Sequence, residues 1–369
     1  MKRSFILATT ALVAAIACND QGTGPLPRAQ ATPEFTAAFQ AFQDSVAASL
    51  TDPTAWNDWV NLHSIMVVKD GQVIAEKWFQ GFTPDSAHTT FSVSKTFTAA
   101  AVGMAIAEGR ISLDDKVTDY FQDVALPAVH NPCNATVKDL LMMGGGHDTD
   151  PSLPVLDIDR KTLTIKMKEG VNIPFVFFSH PFVHEPGTHF CYNSLGTYIL
   201  SYMVQKVTGE CLLDYLTPRL FEPLGIEKPQ WETDNMGVNC GGWGLSLKTE
   251  DMAKFGQLLL QKGNWHGKQL IPADWVDEMG KAHIECAPAG IRIENAEAVS
   301  GIPASENDWR QGYGYQTWIN KVDGFRADGA GGQFILVLPE KNAVVAVTAW
   351  LSNTQKEMDF IWDHLYPYL

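Results

Sequence analysis

The stretch Thr90-Phe91-Ser92-Val93-Ser94-Lys95-Thr96-Phe97-Thr98-Ala99-Ala100-Ala101-Val102-Gly103-Met104-Ala105-Ile106-Ala107-Glu108-Gly109 decides the fold. From Ser92 to Glu108 it has helix-forming composition, and it closes on Gly109, a residue able to take the left-handed conformation that ends helices. Ala99, Ala100, Ala101, Val102, Met104 and Ile106 go round the whole cylinder, which predicts a helix buried at the centre of the molecule. Only the first turn carries chemistry. Ser92 and Lys95 stand three apart and share a face, which sets the lysine nitrogen beside the serine hydroxyl. Burial and the positive pole of the helix both disfavour an ammonium, so the Lys95 pKa is expected to fall from about 10.4. A drop of about three units corresponds to about 4 kcal/mol and leaves a base usable at neutral pH. The plainer alternative makes Ser92 a helix cap and Lys95 a solvated residue. A lysine there opposes the helix dipole, and none of the next twelve residues is charged, which favours the chemical reading.

Strands lie on both sides of this helix. Ile65 to Phe79 contains two β-rich runs around Asp70-Gly71, a hairpin signal. Gly312 to Ile319, Gly332 to Leu338 and Ala343 to Trp350 are β-rich, with Pro339 to Asn342 turning the last hairpin. Between them, from Thr90 to about Cys240, the pattern is helical, including Ser194 to Thr208 closed by Gly209. Further helices are expected from Glu34 to Leu50, from Thr249 as N-cap, and from Gln355 to Leu365. Strands at both ends with helices between exclude a βαβ repeat. The economical solution is α+β: one antiparallel sheet built from the N- and C-terminal strands, flanked by helices, with an inserted helical subdomain. The sheet part would cover about 34–90 and 241–369, and the helical part about 91–240.

The chain has 369 residues, 45% of them hydrophobic and 19% charged, which excludes disorder and disulfide-framework classes. Its 42 acidic and 27 basic residues give a net charge of -15, so phosphate backbones would repel it and nucleic acid is not an expected partner. Six cysteines show no C-x-x-C pair, and no metal or other cofactor is expected. His180 to Pro186 holds two histidines four apart, but prolines at 181 and 186 forbid the helical face a zinc motif needs. His147, Asp148 and Asp150 follow three glycines and read as a solvated turn.

The first seventeen residues read as an export signal. Lys2 and Arg3 precede an apolar run from Phe5 to Ala17, about thirteen residues and too short to cross a hydrocarbon core of roughly 30 Å. The run ends in Ala15-Ile16-Ala17-Cys18, similar to a bacterial lipobox, with residues 18–33 as a tether. The expected location is the bacterial cell envelope, with the membrane touched only through a lipid on Cys18. Ala29-Gln30-Ala31 offers an alternative cleavage site that would leave a soluble periplasmic or secreted protein.

Two further segments carry candidate chemistry. Pro186 to Ser194 delivers Tyr192 and Ser194 to the start of the second buried helix. Tyr192 near a lysine could act as a base for a serine; taken alone, it reads as a buried aromatic with a satisfied hydroxyl. Ala327-Asp328-Gly329-Ala330-Gly331-Gly332 is a glycine-rich turn into a strand, where small residues let a substrate approach a backbone N–H.

Taken together, these stretches resemble the class C β-lactamase-like serine hydrolases, a superfamily of β-lactamases, D,D-peptidases, D-aminopeptidases, esterases and nylon-oligomer hydrolases. The resemblance runs in order through Val67 to Gly71, Phe91 to Ala99, Glu108 to Asp115, Thr136 to Leu141, Glu185 to Thr188, Leu220 to Ile226, Gly242 to Leu245 and Gly332 to Phe334. It implies a β-lactamase/transpeptidase-like fold and a serine hydrolase working through an acyl-enzyme on a small ester or amide. It implies Ser92 as nucleophile, Lys95 as its partner, Tyr192 as general base, and the N–H groups of Ser92 and Ala330 as oxyanion hole.

Two positions depart from the β-lactamase pattern. Tyr192-Asn193-Ser194 stands for Tyr-x-Asn, as in some esterase and amide-hydrolase branches, so Ser194 joins the catalytic set. Ala327-Asp328-Gly329 stands where a lysine or histidine would hold a substrate carboxylate. These three are the expected substrate-binding residues, and they argue against β-lactams and D,D-peptides unless Arg310, Lys321 or Arg326 supplies the cation. The non-enzymatic rival is an envelope binding protein on the same fold, which has no reason to keep Lys95 at a buried helix start.

Overall fold

The structure is a computed structural model that describes residues 22–50, 60–124, 133–159 and 164–369. Residues 1–17 and Cys18, read as signal and lipidation site, lie outside the described residues. Six antiparallel strands form the main sheet: β1 (Leu62–Lys69), β2 (Gln72–Trp78), β3 (Trp318–Ile319), β4 (Phe325–Gly329), β5 (Gln333–Leu338) and β6 (Ala343–Ala349). Their order, β3-β4-β5-β6-β1-β2, pairs the N-terminal hairpin with the C-terminal strands through β1 and β6, with Val67 opposite Val345. Asp70 and Gly71 turn the first hairpin at φ 51° and 77°, and Asn342 turns the last at φ 44°.

Alternation along the strands gives the sheet two apolar faces. Ile65, Val67, Phe334, Leu336, Val345 and Val347 face one way and pack with Phe35, Phe42, Val46, Met358, Ile361 and Leu365 of the terminal helices. Met66, Val68, Ala327, Ile335, Val337, Val344 and Ala346 face the other way, into the larger core shared with the helix Ser94–Ala107. Full burial of each large aliphatic or aromatic side chain is worth about 1.5 to 3 kcal/mol, so the sheet is clamped from both sides. The central helix is buried from Ser94 to Ala105, as its apolar circumference requires.

Several elements differ from the sequence reading. Of Gly312 to Ile319, only Trp318–Ile319 is strand; Tyr313 and Tyr315 are buried as core aromatics instead. The strand Phe325–Gly329 was hidden by its polar residues, which a fully buried guanidinium explains below. The inserted part includes a hairpin, Leu156–Asp159 with Thr164–Met167, besides its helices. Thr249 is the first residue of its helix rather than the cap, because its hydroxyl bonds that of Ser64 at 2.6 Å while Asp251 accepts from the Lys248 N–H at 3.2 Å. Residues 22–32, read as part of a tether, lie against the domain: Leu26 is buried, Val73 N–H donates to Pro27 C=O at 2.8 Å, and Arg28 pairs with Glu76 and Glu250.

Candidate active site

The chain enters the central helix through a single 3-10 turn, Phe91–Val93, so Ser92 precedes the regular helix by two residues. Phe91 has φ 49°, a left-handed conformation that a bulky residue adopts only when its surroundings hold it there. Its ring is buried and stacked 5.7 Å from Trp350 at the end of β6, which holds the bend. Ser92 is left half-buried in the wall of a cleft of about 530 Å³.

Lys95 is 1% exposed, and its Nζ has three partners: Ser92 Oγ at 2.8 Å, Ser194 Oγ at 3.0 Å and Gly242 C=O at 2.7 Å. None is a carboxylate. Burial pushes its pKa down to about 7, with Asp150 and Asp328 pulling back more weakly from a distance. Nζ donates to all three, as an ammonium can; once neutral, its lone pair is placed to accept from the Ser92 O–H at the same distance. Gly242 makes this geometry possible, because a Cβ there would lie 2.6 Å from the Ser194 carbonyl oxygen.

Tyr192 reaches the same point from the segment leading into the helix Ser194–Thr208. Its ring lies 4.8 Å from Lys95 Nζ and stacks on Trp318, and its hydroxyl bonds Ser92. Burial pushes the phenol well above its ordinary value, more than the Ser92 bond lowers it. Asn193 is unavailable to Lys95 because its side chain caps that helix, accepting from Gly196 N–H at 3.1 Å, and bonds His147 at 2.7 Å. Ser194 takes the place beside the lysine.

The glycine-rich turn forms the opposite wall. Asp328, Gly329, Ala330 and Gly331 line the cleft with Ser92 and Tyr192, while Ala327 is fully buried with its side chain in the core beneath the sheet. Asp328 is the single charged residue in the described lining, and its Oδ2 accepts from Arg326 Nε at 2.9 Å. Burial pushes the Asp328 carboxyl up, against the pull of Arg326. The cations named as alternatives are occupied elsewhere. Arg326 is fully buried, held also by the carbonyls of Asp308 and Ile319 and by Asn320; Arg310 donates to Ile293 C=O; Lys321 pairs with Asp359. Arg292 lines only a neighbouring pocket of about 120 Å³, with its guanidinium on Asp148.

The structure thus brings Ser92, Lys95, Tyr192 and Ser194 together, with Ala330, Asp328 and Gly329 across the cleft. Sequence reasoning missed Asp150, assigned to a solvated turn but half-buried and close enough to act on Lys95, and Gly242 as a hydrogen-bond acceptor. Gly242 stood among the family matches; Asp150 had no signal, since its placement depends on the fold of a loop. The five described cysteines are all free thiols.

The chain is 28% identical over 240 residues to the 6-aminohexanoate-dimer hydrolase of Paenarthrobacter ureafaciens, a match covering 64% of this chain and 61% of that protein. It is 26% identical over 287 residues to penicillin-binding protein 4 of Amycolatopsis lactamdurans, covering 72% of each. The fold superposes on the crystal structure of a family VIII carboxylesterase with a TM-score of 0.63 at 18% identity, covering 93% of this chain and 99% of that one. The family model described as Beta-lactamase matches residues 60–365, most of the chain, and the chain belongs to the Beta-lactamase family.

Proposed function

We propose that the protein cleaves a small ester or amide through an acyl-enzyme, with Ser92 as nucleophile and neutral Lys95 as the base that takes its proton. The observation that carries this reading is the buried Lys95 amine, with Ser92 Oγ at 2.8 Å and no carboxylate among its hydrogen-bond partners. Ser92 Oγ bonds to the acyl carbon, the N–H groups of Ser92 and Ala330 receive the developing oxyanion, and the bond to the leaving group breaks. The resemblance implies Tyr192 as general base. Because burial keeps its phenol protonated, we place the base on Lys95 and let Tyr192, bonded to Ser92, give its proton to the departing oxygen or nitrogen and take back the proton that Lys95 received from Ser92. Water then attacks the acyl carbon and loses a proton to the same pair, the bond from Ser92 Oγ to the acyl carbon breaks, and the pair returns that proton to Ser92 Oγ as the acid leaves.

Substrate choice follows from the cleft wall. A charge-assisted hydrogen bond to a carboxylate is worth about 1.5 to 3 kcal/mol, and its absence alone gives on the order of ten- to a hundred-fold discrimination. Purified protein should therefore turn over p-nitrophenyl acetate or butyrate much faster than nitrocefin, whose carboxylate meets Asp328 and no lining cation. A steady-state comparison of kcat/KM decides this, and faster turnover of nitrocefin would replace the ester reading with that of a β-lactamase. A lysine at Ala327 does not test the point, since that side chain enters the core; Asp328→Asn does, and should narrow the ester-to-nitrocefin ratio.

We further propose that the protein is exported and anchored through Cys18. The expressed protein should partition into detergent with diacylglycerol mass on Cys18, and a soluble chain beginning at Thr32 would refute the anchor.

A further inference from the structure

We propose that Asp148, His184 and His189 form a binding site for one divalent transition-metal ion of the zinc type. The two segments dismissed separately in the sequence, His147 to Asp150 and His180 to Pro186, meet in the structure, and His189 joins them. His184 Nε2 lies 3.1 Å from Asp148 Oδ1, and His189 Nε2 approaches the same oxygen at 3.9 Å. One donor atom from each of the three residues falls within 4.8 Å of the others. The second distance is too long for a hydrogen bond. Both bracket the edge of about 3.3 Å expected between ligands of a tetrahedral ion with bonds of about 2.0 to 2.1 Å.

The arrangement is preorganised. The two imidazoles stack at 3.8 Å and 17°, both presenting Nε2 to one carboxylate oxygen. The other oxygen, Oδ2, is held by the Arg292 guanidinium, the kind of outer contact that orients a ligating carboxylate. The loops themselves are tied by backbone bonds: Val183 and His184 N–H donate to Gly146 C=O at 2.9 and 3.1 Å, and Gly187 N–H donates to Gly144 C=O at 2.7 Å. Gly146, at φ 98°, permits the approach, since a Cβ there would lie 2.8 Å from the His184 carbonyl oxygen.

The three side chains are between 22% and 32% exposed, so an ion can reach them from solvent. Two imidazoles and a carboxylate suit zinc better than calcium or magnesium, which prefer oxygen. Three protein ligands leave a fourth position, which falls to water or a small ligand in the pocket of about 120 Å³ that Asp148 and His189 line with Asp150 and Tyr192. The ion would join the 144–150 loop to the segment that carries Tyr192.

Calorimetric titration of tag-free, chelator-stripped full-length protein with zinc chloride tests the site without needing turnover. One ion per chain is expected, with affinity reduced at least about tenfold in Asp148→Asn, His184→Asn and His189→Asn. It should be unchanged in His180→Asn, whose ring bonds Thr149 outside the triad. Equal affinity in all four variants, or no binding at about 0.1 mM ion, overturns the proposal. Imidazole nitrogen spectra of the wild-type protein provide a measure independent of variant folding. One equivalent of zinc should shift two histidines, and unperturbed histidine signals at saturation overturn it.

Discussion

Ser92→Ala should lower hydrolysis by roughly 10⁴-fold or more and abolish labelling by a fluorophosphonate, while leaving the melting temperature nearly unchanged. The chemical effect is large because Ser92 is the hydroxyl that faces the cleft within 2.8 Å of Lys95 Nζ. Ser194 also touches Lys95, but it is buried behind the lysine and does not line the cleft, so it cannot replace the lost nucleophile. The structural effect is small because the helix start rests on other groups. Ser94 Oγ donates to Phe91 C=O at 2.6 Å and accepts from Leu245 N–H at 3.2 Å, and Phe91 stacks on Trp350. Burst kinetics with a p-nitrophenyl ester and intact-mass detection of the acyl adduct measure the outcome. A variant that still acylates at the wild-type rate would move the nucleophile elsewhere.

The parts of this site that were legible in sequence are those fixed by local geometry. Three residues of spacing across the helix start put Lys95 beside Ser92, and the apolar circumference buries the lysine. Hairpin turns at Asp70-Gly71 and Asn342 follow from residues that tolerate positive φ, and these anchored the sheet at both ends. What was hidden depended on tertiary contact. Phe325–Gly329 reads poorly as a strand because Arg326 and Asp328 are charged, yet the pair neutralises itself at 2.9 Å and Arg326 stacks 4.8 Å from the Trp309 ring. Tyr313, Tyr315 and Trp318 gave Gly312 to Ile319 a β-rich composition, whereas most of that run serves as aromatic packing around Tyr192 and Trp275. Asp150 and the Asp148, His184 and His189 group were dispersed over two loops. Nothing in the order of residues says that backbone bonds to Gly144 and Gly146 draw those loops together.

The dependence of kcat/KM on pH should rise about tenfold per unit below pH 7 and level off above it, because the reactive form carries Lys95 as the neutral amine. The sign follows from the shift. Burial lowers the lysine to about 7, so the ammonium dominates below that value and cannot accept the Ser92 proton, while above it the free amine can. Asp150 and Asp328 stabilise the ammonium, so replacing either by asparagine should move the midpoint to lower pH. Lys95→Ala and Tyr192→Phe should each cost several powers of ten. Together they should cost little more than the worse single change, since both act on one proton path. Residual activity separates their roles. If Lys95 is the base, Tyr192→Phe keeps the midpoint near 7; if Tyr192 is the base, the limb disappears with the phenol. A flat profile between pH 5 and 8 in the wild-type enzyme would mean that the buried amine is already neutral throughout.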